Sequence, residues 1–366
     1  MIRFKRFLNE SQGEEYGLSN NSKGVVHEIL VGAHLQTPGH TSAKDAHTLK
    51  HCEHFRDEHG KGPKEVHDSL TGHLDEKQYA HHYNKAKHAA NVLRAHLDKH
   101  GKGVHKVHWT SNPNDIQKLT GKKDGNNPSD LVVQHHDGTH TGVSMKVQKK
   151  AASPTLANPG KKTLKDITGH PGDPLSHHES EYRRKSLARL KPHFEARGHI
   201  VHSDHVIHGE TGKKLSIGKS KDGDKSLRGI EHQHPDIKEA NNKDAYTHCG
   251  HAAKEYHDHL KNKKPHELAH ILQHLSQSDT GLHTIVSKTR GRKDKIVTEI
   301  SDPKRDHDAA MSKHAKHLTV HHSGTSIHFR GKDDAPVASL SFKPNSSGGF
   351  TGVQGNLAGL HKAATK

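Results

Sequence analysis

An α/β (α+β) fold is predicted by three observations. An apolar run of helical period at residues 22–35 precedes three β-branched runs between Val104 and Gln148. Helical patterns return between about residues 175 and 276, and from about Leu282 the spacing changes to period two. The chain has 366 residues of which 28% are hydrophobic, so roughly 100 side chains are available for burial, enough for one large or two modest domains. Aromatic residues are only 4%, which implies a core carrying long polar excursions.

In chain order, residues 1–20 form a basic amphipathic arm that turns polar and acidic. "SKGVVHEILVGAHL" is the first core helix, with Ser22 as its N-cap and Glu28 on it. Two polar helices with thin apolar stripes follow and read as a helical insertion at about 42–100. "GVHKVHWTS" is a strand. "LVVQ" and "TGVSMKVQ" form a hairpin around an Asp137-Gly138 turn. After a Pro-containing loop come a basic helix in "HESEYRRKSLARLKPHFEARG" and a flexible basic connector in "GKKLSIGKSKDGDKSLRG". The helices "NKDAYTHCGHAAKEYHDHLKN" and "PHELAHILQHLSQ" follow, the latter with Pro265 in its first turn. The expected organisation is an arm at 1–20, a core at 21–280 and a strand-rich unit at 281–366. No solenoid-type repeat is present.

Lys and Arg number 57 against 41 acids, a formal +16 before any of the 44 histidines is protonated. Such an excess attracts polyanions, and DNA or RNA is the leading partner class. The histidines are spread through every segment, often where Lys, Gln or Asn would serve, and read as compositional drift rather than as ligands. The two cysteines, Cys52 and Cys249, form neither a disulfide framework nor a cysteine zinc site. No run reaches the roughly 18 apolar residues of a membrane span, and no signal-peptide core opens the chain. A protein that is not secreted by that route and not in the membrane is expected.

The hairpin places Asp130 at the start of one strand and Ser144 and Lys146 on one face of the next. With the helix that carries Glu28, the order is helix, three strands, helix. This arrangement resembles the core of the PD-(D/E)XK nuclease superfamily, a mixed sheet flanked by helices, with Pro128-Ser129-Asp130 and Ser144-Met145-Lys146 standing for its two elements. The resemblance covers Lys23 to Lys150 and the helix after it. It implies metal-dependent hydrolysis of DNA, with Mg²⁺ or Mn²⁺ held by Asp130 and the Met145 carbonyl, and with Lys146 polarising water and phosphate. Ser144 departs from the pattern, since a neutral hydroxyl replaces the second acid. Some members of the superfamily carry that acid on the first helix, which makes Glu28 the substitute and Asp115 the reserve.

Basic runs close to the hairpin supply a phosphate track: Lys149 and Lys150, Lys161 and Lys162, and Arg183 and Arg184. The arm resembles the capsid-targeting peptides of tailed-phage internal head proteins, with Leu8-Asn9-Glu10 matching their cleavage site. That likeness implies capsid or other virion proteins as partners, and the virion interior or host cytoplasm as the location. The alternative to a nuclease is a non-catalytic basic DNA-binding or internal virion protein, which Ser144 favours. A second alternative is a zinc peptidase through "HELAH", His266 to His270, with Glu267 as base, a motif that carries little weight at this histidine content. The stripe His47, His51 and His54 has metal-ligand spacing and reads as solvated surface.

Overall fold

Ser19, three residues ahead of the expected cap, opens helix α1 (Asn20–Gln36): its Oγ accepts from the Ser22 amide at 3.2 Å, so Ser22 is the residue being capped. The structure is a computed structural model. It describes residues 16–37, 61–110, 129–148, 161–218, 220–276, 282–292, 295–345, 348–350 and 352–360, with positions 117, 119 and 363. The architecture is mixed α/β, in two compact units: Met1–Pro154 with Gln277–Asp308, and Thr155–Ser276 with Ala309–Lys366.

In the first unit α1 is followed by α2 (Pro63–Thr71) and α3 (Glu76–Lys99), then β1 (Val104–Trp109), β2 (Leu131–His135) and β3 (His140–Gln148). The chain re-enters the unit at β6 (His283–Arg292) and β7 (Lys295–Ser301) to complete a five-stranded sheet of order β1-β2-β3-β6-β7. The pairs β1–β2, β2–β3 and β6–β7 are antiparallel, and β3–β6 is parallel. The first two strands of the strand-rich unit expected at 281–366 therefore belong to the sheet of the hairpin.

Helix α3 also differs from the polar insertion expected. Its narrow stripe of Tyr79, Tyr83, Ala86, Ala90, Leu93 and Leu97 is buried against Val26, Ile29, Leu30 and Ala33 of α1. Alanine lets the two helices approach closely, so a thin stripe suffices to seat α3 in the core. Between β2 and β3 the Asp137-Gly138 turn forms as expected, with Gly138 at φ +79° and Asp137 Oδ1 accepting from the Thr139 amide at 2.9 Å.

The second unit holds α4 (Lys161–Thr168), α5 (Pro174–Glu195), the short pair β4 (Ile200–Val201) and β5 (Val206–Ile207), α6 (Leu227–His232), α7 (Pro235–Leu260) and α8 (Pro265–Leu275). Helix α9 (Pro303–His314) precedes an antiparallel sheet of order β11-β10-β9-β8, made from β8 (Thr319–Ser323), β9 (Ser326–Arg330), β10 (Pro336–Pro344) and β11 (Val353–Ala358). Helix α7 packs on this sheet, where Tyr256 stacks on Phe342 with centroids 5.7 Å apart. The connector after β5 is less open than its composition implies: Leu215 and Leu227 are buried with Phe194, Ile230 and Phe350. Among the described residues no helix is long and apolar enough to cross a membrane.

Candidate functional site

β2 and β3 stay paired from Gln134–His140 to Leu131–Val143, and there the regular register ends. Asp130 still donates its amide to the Val143 carbonyl at 2.9 Å, while its own carbonyl accepts from the Thr110 amide at 3.0 Å. Its side chain crosses to β3. Asp130 Oδ2 accepts from the Met145 amide at 2.7 Å and from Ser144 Oγ at 3.3 Å, and Lys146 Nζ lies 3.9 Å from the same oxygen. Asp130 is 3% exposed and Ser144 2%, whereas the Lys146 side chain is 37% exposed. A carboxylate this deep would cost several kcal/mol without donors, and the three on β3 offset that cost.

Period two then sorts the residues. Val143, Met145 and Ile285 pack in the core with α1 and α3, so Ser144 and Lys146 point to the opposite face of the sheet. On that face the parallel register sets Lys146 beside Lys288 of β6. Lys288 is buried and lies 3.9 Å from Glu299 Oε2, and Arg290 pairs with Glu299 at 2.7 Å. Gly142 is required next to the site. A Cβ there would collide with Ser129 Oγ and come within 2.7 Å of Thr284 Oγ1.

Glu28, the expected substitute for the second acid, reaches from α1 to β1. Its Oε2 accepts from Trp109 Nε1 at 3.3 Å, and Trp109 is the β1 residue opposite Leu131. Trp109 packs in the α1 and α3 core, so Glu28 reaches the end of the sheet from the helix side. Asp130, Ser144, Lys146 and the Met145 amide are the groups brought into direct contact.

Lys161 and Lys162 begin α4, and Arg183 and Arg184 lie on α5, all in the second unit. Arg183 is paired with the buried Glu179 at 2.8 Å, and Arg184 is exposed. Lys149, Lys150, Asp115, the His47 stripe and residues 1–15 of the arm lie outside the described residues, whereas Leu18 is buried and Asn20 already belongs to α1. In "HELAH", Glu267 Oε2 accepts from the Lys264 amide at 2.7 Å and so caps the start of α8. That bond holds the Glu267 carboxyl below its ordinary value. His266 and His270 are exposed, and His270 Nε2 meets His274 Nε2 at 2.9 Å. The motif is thus accounted for as a helix start.

Sequence reasoning missed Lys288 and Trp109. The Glu28–Trp109 contact joins residues 81 positions apart, and no local pattern signals it. Lys288 stood in a visible period-two run, but nothing in that run identified β3 as its neighbour. Comparison with family models, curated proteins and solved structures finds no match for the chain.

Proposed function

We propose that the first unit hydrolyses DNA phosphodiester bonds at the end of the β2–β3 hairpin. The observation that carries this reading is a half-exposed lysine 3.9 Å from a buried aspartate, on strands that part at that aspartate. Mg²⁺ prefers oxygen ligands and is commonly held by one or two carboxylates, water and the substrate's own phosphate. Asp130 is the carboxylate here. The Met145 carbonyl leaves its strand on the same edge as the Met145 amide, which faces Asp130. This donor set fits Mg²⁺ or Mn²⁺ once phosphate oxygens complete it. When bound, such an ion supplies Lewis-acid activation of water and neutralises charge on the phosphate.

The chain's own residues do the rest. The Met145 amide and Ser144 hydroxyl fix the Asp130 carboxylate so that it does not rotate away from the site. Lys146, the exposed partner, exchanges Asp130 for a phosphate oxygen and stabilises charge developing there. The formal +16 brings the polyanion to the surface. Glu28, on the helix side of Trp109, is the second acid of this reading.

The donors already filling Asp130 Oδ2 favour a second reading, in which the hairpin is a closed structural core within a DNA-binding protein that does not cleave. One experiment separates them. Duplex DNA is incubated with full-length protein and Mg²⁺ or Mn²⁺, and binding is measured in parallel across salt concentrations. Metal-dependent nicking that disappears in Asp130→Asn and in Lys146→Ala, with salt-sensitive binding retained, supports the nuclease. Steep salt-dependent binding without cleavage under any metal gives the protein to the second reading.

A further inference from the structure

Helices α5 and α7 face each other in the second unit across a polar stripe set into an otherwise apolar contact. On α5 the stripe is His178, Glu181 and Lys185, and on α7 it is His248, His251 and Glu255. Tyr182, Ala245, Cys249 and Ala252 beside it are buried. His178 Nδ1 lies 3.4 Å from His248 Nδ1, Glu181 Oε2 lies 3.6 Å from His248 Nδ1, and the same oxygen lies 3.9 Å from His178 Nδ1. A ring nitrogen of His251 falls within 4.8 Å of those of His178 and His248. His178 and His248 are buried, Glu181 is half-buried and His251 is exposed.

We propose that His178, Glu181, His248 and His251 form a binding site for a divalent transition metal of the zinc class, which staples α5 to α7. Zinc bonds to nitrogen and carboxylate oxygen of about 2.0–2.2 Å place tetrahedral ligand atoms about 3.3–3.5 Å apart. The two imidazole nitrogens already stand at that separation, and Glu181 needs to close by only a few tenths of an ångström. The spacing on each helix matches this geometry: His178 and Glu181 are i,i+3, and so are His248 and His251, which puts each pair on one face. Imidazole and carboxylate with no thiolate suit zinc and its borderline neighbours. Cys249, although adjacent to His248, is turned into the core, and burial pushes its thiol up to about 12.

The surrounding groups orient the ligands. Glu255 Oε1 lies 2.8 Å from His178 Nε2, so the carboxylate takes the Nε2 proton and leaves the Nδ1 lone pair aimed between the helices. His248 is arranged differently, because Lys185 Nζ donates to its Nε2 at 3.1 Å and thereby places the ring proton on Nδ1. Loading the site requires a tautomer shift in His248. Nδ1 gives up its proton to solvent, Nε2 acquires one, and the exposed Lys185 amine turns away into water. Lys185 therefore opposes metal entry, a prediction that a merely structural polar stripe would not make. The other histidine-rich helix face, on α8, brings His270 and His274 together at 2.9 Å, with Glu267 already engaged in its cap.

The test is zinc titration of the full-length, chelator-stripped protein in competition with a chromophoric chelator, with Co²⁺ spectra reporting coordination and thermal melting reporting linkage. Wild type should hold one zinc per chain at least tenfold tighter than any further equivalent. Saturating zinc should raise the melting point of the second unit by about 5 °C or more. Glu181→Gln and His251→Ala, both outside the core, should each weaken the tight site at least tenfold, as should Glu255→Gln through its hold on His178. Lys185→Met should tighten it. His266→Ala with His270→Ala should leave it unchanged. A tight site that persists with His178→Gln and His248→Gln combined overturns the assignment. So does graded uptake of several equivalents that Glu181→Gln does not alter, which would assign the metal to scattered surface histidines. Because the glutamate and His251 variants leave the core intact, misfolding of the double variant does not shelter the proposal.

Discussion

His27 should make the first unit acid-sensitive, and replacing it should remove a defined share of that sensitivity. The side chain is buried on α1, and its Nε2 has no hydrogen-bond partner among the described residues. Burial, followed by the charges of Lys85 and His82 on α3, drives its pKa from 6.5 to about 3. A group whose folded pKa is depressed keeps its contribution above the unfolded pKa and loses it as pH falls. Between pH 7 and pH 5 the unfolded imidazole takes up a proton that the folded one refuses, which costs about 2 kcal/mol over that window. Any folded value below about 4 gives nearly the same figure. His27→Leu has no such linkage, so its stability advantage over wild type should widen by about 2 kcal/mol from pH 7 to pH 5. Urea unfolding followed by the fluorescence of the single tryptophan, Trp109, reads the first unit specifically. The other histidines cancel in the difference between the two proteins. A gap that stays constant or narrows on acidification would show that His27 is charged in the fold and refute the reasoning.

Gly142→Ala should destabilise the first unit by about 1–3 kcal/mol, because the added methyl meets Ser129 and Thr284; urea midpoints check it. Trp109→Phe keeps an aromatic ring at the site but removes the donor to Glu28, and in the nuclease reading it should lower turnover more than DNA affinity, measured as kcat against binding. In Cys52→Ser protein the remaining thiol, Cys249, should resist a disulfide reagent at pH 8 in the native state and react at once in denaturant; rapid native labelling would contradict its burial. Glu267→Ala should shorten α8 at its start, visible as faster amide exchange at Lys264 to Leu268, and should leave zinc content untouched.

Local pattern carried the sequence reading where the determinant was local. The periodicity of α1, the alternation of β2 and β3, and the φ-permissive Gly138 of their turn were all legible, as was Pro265 at the start of α8. Asp130, Ser144 and Lys146 come together because two strands joined by a tight turn must bring their starts and ends into register. Partner choice over long separations was not legible. β6 pairs in parallel with β3 after an excursion through the second unit, and parallel strands need a crossover whose length and destination leave no trace in either strand. Arg183 pairs with Glu179 four residues earlier, a common surface spacing, and only the tertiary fold buries that glutamate. The facing of His178 and His248 was hidden for the same reason: each helix shows half of the spacing, and the other half lies 70 residues away.

Polar accounting distinguishes the two clusters. Around Asp130 Oδ2 the fold supplies an amide, a hydroxyl and an ammonium, so donors and positive charge already answer one carboxylate oxygen. Around His178 Nδ1 the fold gathers a second imidazole nitrogen and a carboxylate oxygen within 3.9 Å, so that two lone-pair atoms, His178 Nδ1 and Glu181 Oε2, must share the one proton that His248 Nδ1 provides. The first arrangement asks for no cation until an anion displaces Lys146, whereas the second is short of one from the start. In the proposed nuclease, divalent metal and DNA should therefore bind the hairpin site cooperatively, with Mn²⁺ affinity weak in protein alone and strengthened by duplex, and with Lys146→Ala raising the DNA-free affinity by removing the competing charge. Zinc on the α5–α7 stripe should be indifferent to DNA. Calorimetric Mn²⁺ and Zn²⁺ titrations with and without a non-cleavable phosphorothioate duplex measure both, and tight Mn²⁺ binding at Asp130 without DNA would mean that the donors on β3 yield far more readily than their distances imply.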